Sequence, residues 1–572
     1  MKRILLFSVL IFLLINVLYS QKLPKTSENI NSKDIQKHIT YLASDKLQGR
    51  KPGTVEDSLS AIYILANFKK SGLIPLYSSG IQDFPVITGK TVDPSSFIIV
   101  GNKKVSVSNQ FFPLLISSDT SITGKCVSVD YGIIYQSDSL TIDNYKNIDV
   151  TGKIVIIAKG YPEYGKKEWL AEYADERTKV LTAKDKGAIG VIFYTPDFIE
   201  NGKAPVEDSY GSVHFPVVWM NQKLLSNTFT MNDLLIGSKE ATIHTQLITN
   251  ELQTRNIVVS IEGTDSKLKD EYIVIGAHYD HLGFGGPGSG SRKPDTLAIH
   301  NGADDNASGV SGILELAQKF AKNKPKRSII FVAFGAEERG LLGSKYFVQH
   351  PPVDISKIKT MINLDMIGRF DNELQNLLIG GTGTSTEADT ILNSNNHYGF
   401  RLKFSPDGFG ASDHSSFYSK NIPVFFINSG AHDDYHTPDD DVNRINFKGE
   451  ELILKYIYNI ATEIANRAKP LTFKESGEKE KTGGRTRLKV TLGIIPDFAS
   501  QESKGLRVDG VRKGGPASKA GILKGDIITA LDGKPVTNIQ DYMSRLKVLK
   551  PGQIINIDLL RDNKKIVLIV NL

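Results

Sequence analysis

One cysteine, two tryptophans and six methionines in 572 residues leave little room for thiol chemistry. Cys126 stands alone, so no disulfide closes within the chain, and any metal site must be built from histidine and carboxylate rather than thiolate. Stability must then come from packed cores. Dense blocks of one charge are also missing. The 69 basic residues are spread among 63 acidic ones for a formal net charge of +6, so nucleic acid is not an expected partner. No internal repeat is found. After the first twenty residues, no apolar run approaches membrane-spanning length without charges.

That first stretch is the exception. MKR precedes ILLFSVLIFLLINVL, and LYS follows before Gln21. A basic head, an apolar run shorter than the roughly 20 residues needed to cross a bilayer, and a small residue at the end read as a signal peptide over 1–20. Cleavage near Ser20 leaves no membrane span, and no cysteine lies nearby to carry a lipid. The expectation is an exported protein, periplasmic or secreted.

What is present is a soluble, globular composition, 40% apolar and 23% charged, in a chain too long for one core. Residues 29–73 read as two helices joined by a Gly/Pro loop, with apolar stripes at Ile35, Ile39 and Leu42 and at Ile62, Leu65 and Phe68. Short β-rich runs such as GKIVIIAKG, AIGVIFYT and FPVVWM then dominate 90–250, with one polar helix near 166–186. From 257 onwards, nearly all-apolar strands alternate with helices. That pattern predicts an α/β unit with a mostly parallel sheet covered by helices on both faces. The expected boundaries are a first peptidase-unit segment at 21–95, a β-rich insertion at 96–250, the main α/β segment at 251–468, a polar linker at 469–487 and a small domain at 488–572.

The strand ends of the α/β unit carry the chemistry. EYIVIGA runs into His278 and Asp280, FVAFGA into Glu337 and Glu338, MINL into Asp365, and VFFINSG leads towards His436. The loop NGADDNASG adds Asp304 and Asp305 before a helix, where an acid alone is more often a cap than a ligand. Ligands of open parallel sheets bind at the carboxyl ends of the strands. Carboxylates gathered there repel one another and are costly to desolvate unless a cation sits among them. Imidazoles with carboxylates and no thiolate suit zinc or another borderline divalent ion. A carboxylate shared between two ions accommodates more ligands than one catalytic zinc would take. One of the adjacent glutamates can then bind metal while its neighbour moves a proton. Asp280, two residues after His278, can fix that imidazole through its other nitrogen. His281, His300, His414 and His432 are expected in loops or on the surface.

AHYDHLG, NGADDNASG, AEERGLLGS, NLDMIGR and YHTPDDD, in this order, resemble the M28 zinc aminopeptidases. LASDKLQGR and GASDHSSF resemble the same family, and the likeness covers about 21–90 and 250–467. The resemblance implies two Zn2+ per chain: His278 and Asp365 on one, Glu338 and His436 on the other, and Asp305 bridging. It also implies Glu337 as general base and acid acting on metal-activated water, and Asp280 as the partner of His278. The substrates would be peptides with a free N-terminus. The insertion resembles a protease-associated (PA) domain. The C-terminal unit, with LGIIPD and VRKGGPASKAGILKGDIITALDGKPV, resembles a PDZ domain, in which Leu492, Gly493, Ile494 and Ile495 would receive the carboxylate of a C-terminal peptide. The alternatives are a carboxypeptidase or glutaminyl-cyclase-like enzyme on the same scaffold, or a non-catalytic peptide-binding scaffold.

Overall fold

The strand ends singled out above lie side by side. In the computed structural model, Ser328–Phe334, Tyr272–His278, Ile358–Leu364 and Val424–Asn428 are consecutive parallel neighbours at the centre of a nine-stranded sheet. The flanks depart from parallel: Leu247–Ile261 runs antiparallel to Ser328–Phe334, and Asn376–Gly380 antiparallel to Val424–Asn428. The structure describes residues 29–476 and 490–572 apart from 109, 137–139, 163–172, 174, 196–211, 287, 497–503 and 513. The expected signal peptide and most of the expected linker lie outside the described residues.

Alternate side chains of the central strands feed two cores. Ile273, Ile275, Phe331 and Ile362 pack under the helices Ser32–Leu42, Val55–Lys70, Gly309–Lys322 and Phe447–Asn466. Val274, Ile330, Val332 and Met361 meet Phe347 and Phe417 from the short helices Leu342–Gln349 and His414–Tyr418. Apolar residues on both faces of each strand are what a sheet covered on both sides requires. The helix over 32–42 buries Ile35, Ile39 and Leu42 as its periodicity predicts. In the next helix Ile62 is 40% exposed, and Ala61 and Ile64 join Leu65 and Phe68 in the core instead. The start of the expected linker is also packed: Leu471 is buried, Phe473 forms a β-bridge to Ser385, and the Thr472 N–H donates to Glu387.

The described residues divide into two compact units, one built up to Val86 and again from Gln253 to Gly477, the other from Ile87 to Leu252 and from Glu478 onwards. The second unit holds the β-rich insertion and the C-terminal domain together. The insertion forms an eight-stranded sheet with cores on both faces, and Cys126 is buried in one of them. The polar helix expected near 166–186 is described over Glu176–Asp185, with 166–172 and 174 outside the described residues, and the short helices Gln222–Thr228 and Met231–Ile236 follow. The C-terminal domain folds as a six-stranded antiparallel sheet with the helix Ile539–Lys547 capped by Asn538. The insertion and the C-terminal domain are joined through charge. Arg177 donates to Asp541 at 2.7 Å, and Arg545 holds both oxygens of Asp185 at 2.5 and 2.8 Å.

Candidate metal centre

Abrupt backbone turns carry the acids from the strands to the rim. Ala336, Met366 and His436 all have positive φ (55°, 60° and 55°), a region that non-glycine residues enter at a cost and that clusters where function demands it. Ala336 turns the chain after Ser328–Phe334 so that Glu337 and Glu338 face the crevice, and Met366 does the same after Asp365. The Asp305–Asn306 peptide is cis.

The distances form a regular figure. Nε2 of His278 lies 3.2 Å from Asp305 Oδ1 and 3.4 Å from Asp365 Oδ1. Nε2 of His436 lies 3.1 Å from Asp305 Oδ2 and 3.2 Å from Glu338 Oε2. Two ligand atoms about 2.0–2.1 Å from one tetrahedral ion sit about 3.3 Å apart. Each imidazole thus makes two ligand-like edges, and Asp305 offers a different oxygen to each. Glu337 Oε2 is 4.0 Å from His278 Nε2, outside that figure.

Charge points the same way. Asp280, Asp305, Glu337, Asp365 and Asp413 are buried, and the Glu338 side chain is 8% exposed, around His278, His281 and His436. Burial, with Glu338 and Asp413 adding repulsion, holds the Glu337 carboxyl well above its ordinary range. Burial also lifts Asp280 to about 8 and Asp413 to about 7. Burial acts to deprotonate both ligand-like imidazoles, yet the acids outweigh it. Glu337 and Asp365 lead the effect on His278, which is held well above 6.5. Asp305 and Glu338 raise His436 to about 11. Those protons would sit on the two Nε2 atoms, where a divalent cation would bind. The donor set therefore fits a pair of such ions.

The surrounding groups hold this figure in place. Asp440 accepts the N–H groups of Asp304 and Asp305, and Ser412 donates to Asp365 Oδ2 at 2.7 Å. The Arg50 guanidinium is fully buried and donates to the carbonyls of Leu42, Tyr279, Asn301 and Gly302, tying the His278 turn to the Asp305 loop. Tyr435 stacks on His436 with ring centroids 3.9 Å apart.

The structure brings the five ligand candidates and Glu337 together and gives several neighbours contacts that the sequence did not show. The carboxylate of Asp280 is 3.8 Å from His278 Nδ1, while the Asp280 backbone carbonyl is closer at 3.2 Å. That carboxylate accepts the backbone N–H groups of Glu337 (2.9 Å) and Glu338 (3.3 Å). Of the histidines expected in loops or on the surface, His281, His300 and His432 do lie in loops, and His414 opens the helix His414–Tyr418. His281, His300 and His414 are buried; His281 contacts Glu338 and His432 contacts Asp304. A histidine just past a strand end carries no periodic signal that would have shown this. Asp304 is a structural acid whose oxygens take the Gly368 N–H and His432. In the C-terminal domain, Leu492 is buried in the core and the Gly493 N–H already donates to Thr491 Oγ1.

Residues 256–461 match the model of peptidase family M28, residues 122–226 that of the PA domain, and residues 490–572 that of the PDZ domain. The chain carries an M28 peptidase domain. Among curated proteins, the chain is 26% identical to Aminopeptidase YwaD of Bacillus subtilis over 60% of its own length and 68% of the relative's. It is 37% identical to a probable zinc metalloprotease of Phaeosphaeria nodorum over 21% of its own length, spanning only 24% of that relative. Among solved structures, it resembles a zinc aminopeptidase from Bacillus subtilis (22% identity, TM-score 0.47, 78% of this chain and 98% of the other). No helix among the described residues is long and apolar enough to cross a membrane.

Proposed function

We propose that this M28 metallo-exopeptidase is an exported aminopeptidase that holds two zinc ions and removes N-terminal residues from peptides. The observation that carries the reading is the placement of Asp305, each oxygen of which sits within 3.2 Å of a different imidazole. In this reading His278 and Asp365 hold one ion, Glu338 and His436 the other, and Asp305 is shared. Zinc bound there supplies Lewis acidity to water and to the scissile carbonyl oxygen.

The chain's own residues move the proton. Glu337 stands outside the ligand figure, 4.0 Å from His278 Nε2; burial alone favours its protonated form, and cations held by the neighbouring ligands would keep it ionised and able to act as a base. It takes a proton from the attacking water and delivers it to the leaving amine. Asp280 fixes the backbone on which both glutamates ride. The relatives named as aminopeptidases support the exopeptidase direction. The basic and apolar N-terminus supports export. A C-terminal peptide seated at Leu492–Ile495 is the second proposed partner. With the Gly493 N–H already bonded, its carboxylate would rely on Ile494 and Ile495.

A library of peptides, half with free and half with acetylated N-termini, tests the reading. N-terminal residues should be released from the free-amine half alone. Release should stop with a chelator and return with added zinc. C-terminal release from the acetylated half would make the enzyme a carboxypeptidase. No turnover by zinc-loaded protein would leave a binding protein.

A further inference from the structure

We infer that His281 is a positioning residue that fixes Glu338 as a one-oxygen metal ligand; this rests on the reading of Glu338 as a ligand. His281 is fully buried at the turn after Tyr272–His278, and its Nδ1 lies 2.8 Å from Glu338 Oε1. The other oxygen, Oε2, is the one that faces His436 Nε2 at 3.2 Å. The imidazole thus occupies the oxygen that the metal figure does not use. The Glu338 N–H is tied to Asp280 at 3.3 Å, so this ligand is held at backbone and side chain alike.

The proton on the His281 ring can be placed from its surroundings. Nε2 is buried with no hydrogen-bond partner among the described residues, while Nδ1 faces a carboxylate oxygen. A neutral ring satisfies this only with its proton on Nδ1, donated to Glu338. The ring has no freedom to turn over. A Cβ on Gly302 would lie 2.6–2.7 Å from its Cδ2 and Cγ, so the glycine makes room for the ring. On another side, the His436 ring packs edge-on at 5.7 Å between centroids.

Although His281, Asp305 and Glu338 lie close enough together to hold an ion, His281 is not the ligand in this arrangement. Its Nδ1 is 3.9 Å from Asp305 Oδ2, beyond the about 3.3 Å edge of a tetrahedral site, and its proton is engaged. Its effect is to hold Glu338 from chelating through both oxygens and to keep Oε2 aimed. Hydrogen-bond partners of ligands typically change metal affinity by about 10–100-fold when removed.

The test compares zinc binding by the full-length protein and its His281→Leu, His281→Asn and Glu338→Gln variants, titrated against a chromophoric chelator, with thermal unfolding recorded for each. Leucine fills volume without a donor, whereas asparagine can place an amide N–H where Nδ1 stood. His281→Leu should weaken one of two zinc sites by about 10–100-fold. His281→Asn should stay within a few-fold of wild type, and the other site should not change. Native affinity at both sites in His281→Leu overturns the inference. So does an asparagine variant as weak as the leucine one, which would assign the effect to packing against Gly302. If Glu338→Gln keeps two native-affinity zincs, the ligand reading fails instead, and the two failures are told apart.

Discussion

In the unit that carries the site, buried carboxylates outnumber the imidazoles among them. In the other unit, Arg177 meets Asp541 one to one and Arg545 grips Asp185 through both oxygens. Both are buried charge, and they behave differently. At the joint between insertion and C-terminal domain each negative group already has a guanidinium. The arrangement is complete and its role is to hold two domains together. At the rim of the parallel sheet the acids exceed their partners, and the imbalance shows in carboxyls pushed to their neutral forms and imidazoles pushed to their charged ones. An unbalanced cluster calls for cations from outside the chain, whereas a balanced one does not.

The comparison breaks most visibly at Asp305. Asp305→Asn removes the shared carboxylate, so zinc content measured by elemental analysis should fall well below two per chain and hydrolysis should vanish. Two zincs in that variant would show that the imbalance is not a two-metal site. Glu337→Gln should keep both metals and lower turnover by about 10²–10⁴-fold. Near-normal turnover would remove its proton-transfer role.

At the joint, the side chains of Arg177 and Asp541 are only 8% and 2% exposed. Arg177→Ala leaves a buried carboxylate unpaired and should cost about 3–5 kcal/mol in denaturant unfolding of the second unit, without altering zinc content. Arg177→Met with Asp541→Leu should recover part of that loss. A zinc deficit in either variant would erase the distinction between the two kinds of cluster.

Glu315 supplies the smallest effect and a third way of burying charge, with neither metal nor arginine. Burial, aided by Asp34, raises its carboxyl to about 8 from 4.5. The unfolded chain therefore binds fewer protons across that window, and stability falls as pH rises from about 4.5 to about 8. His38 beside it is lowered by burial to about 4 from 6.5 and slopes the other way over that interval. The Glu315 loss should therefore be clearest between pH 6.5 and 8. Thermal unfolding of Glu315→Gln over that range should show a flatter profile than wild type. An unchanged slope would show that Glu315 is not the group responsible.

The parallel core and its chemistry were legible because they repeat a simple device. Each all-apolar strand ends in a residue that has no business in a core, and that contrast survives without coordinates. What escaped was whatever depends on a partner far away in the chain. Asp280 was paired with His278 by spacing alone, but its carboxylate serves the backbone of Glu337, 57 residues on. His281 is the loop residue it was expected to be, but its contact with Glu338, also 57 positions away, has no local signal. Arg177 and Asp541 are separated by 364 residues, and nothing local marks either as buried. Ile62 failed for a different reason. It fits the apolar stripe, but the buried face runs through Ala61, Ile64, Leu65 and Phe68 and leaves Ile62 40% exposed.

The interrupted order of the peptidase unit also bears on how the polypeptide is made. The backbone N–H of Ser32 bonds to Glu451, 419 positions later, and the helix Ser32–Leu42 buries its apolar face in the same core as Phe447–Asn466. During synthesis that first helix waits for Gly309–Lys322 and then Phe447–Asn466 to emerge, while the insertion can close its own cores in between. A nascent chain halted before Phe447 would thus hold a finished middle and an unfinished beginning, its sticky helices exposed to chaperones and proteases.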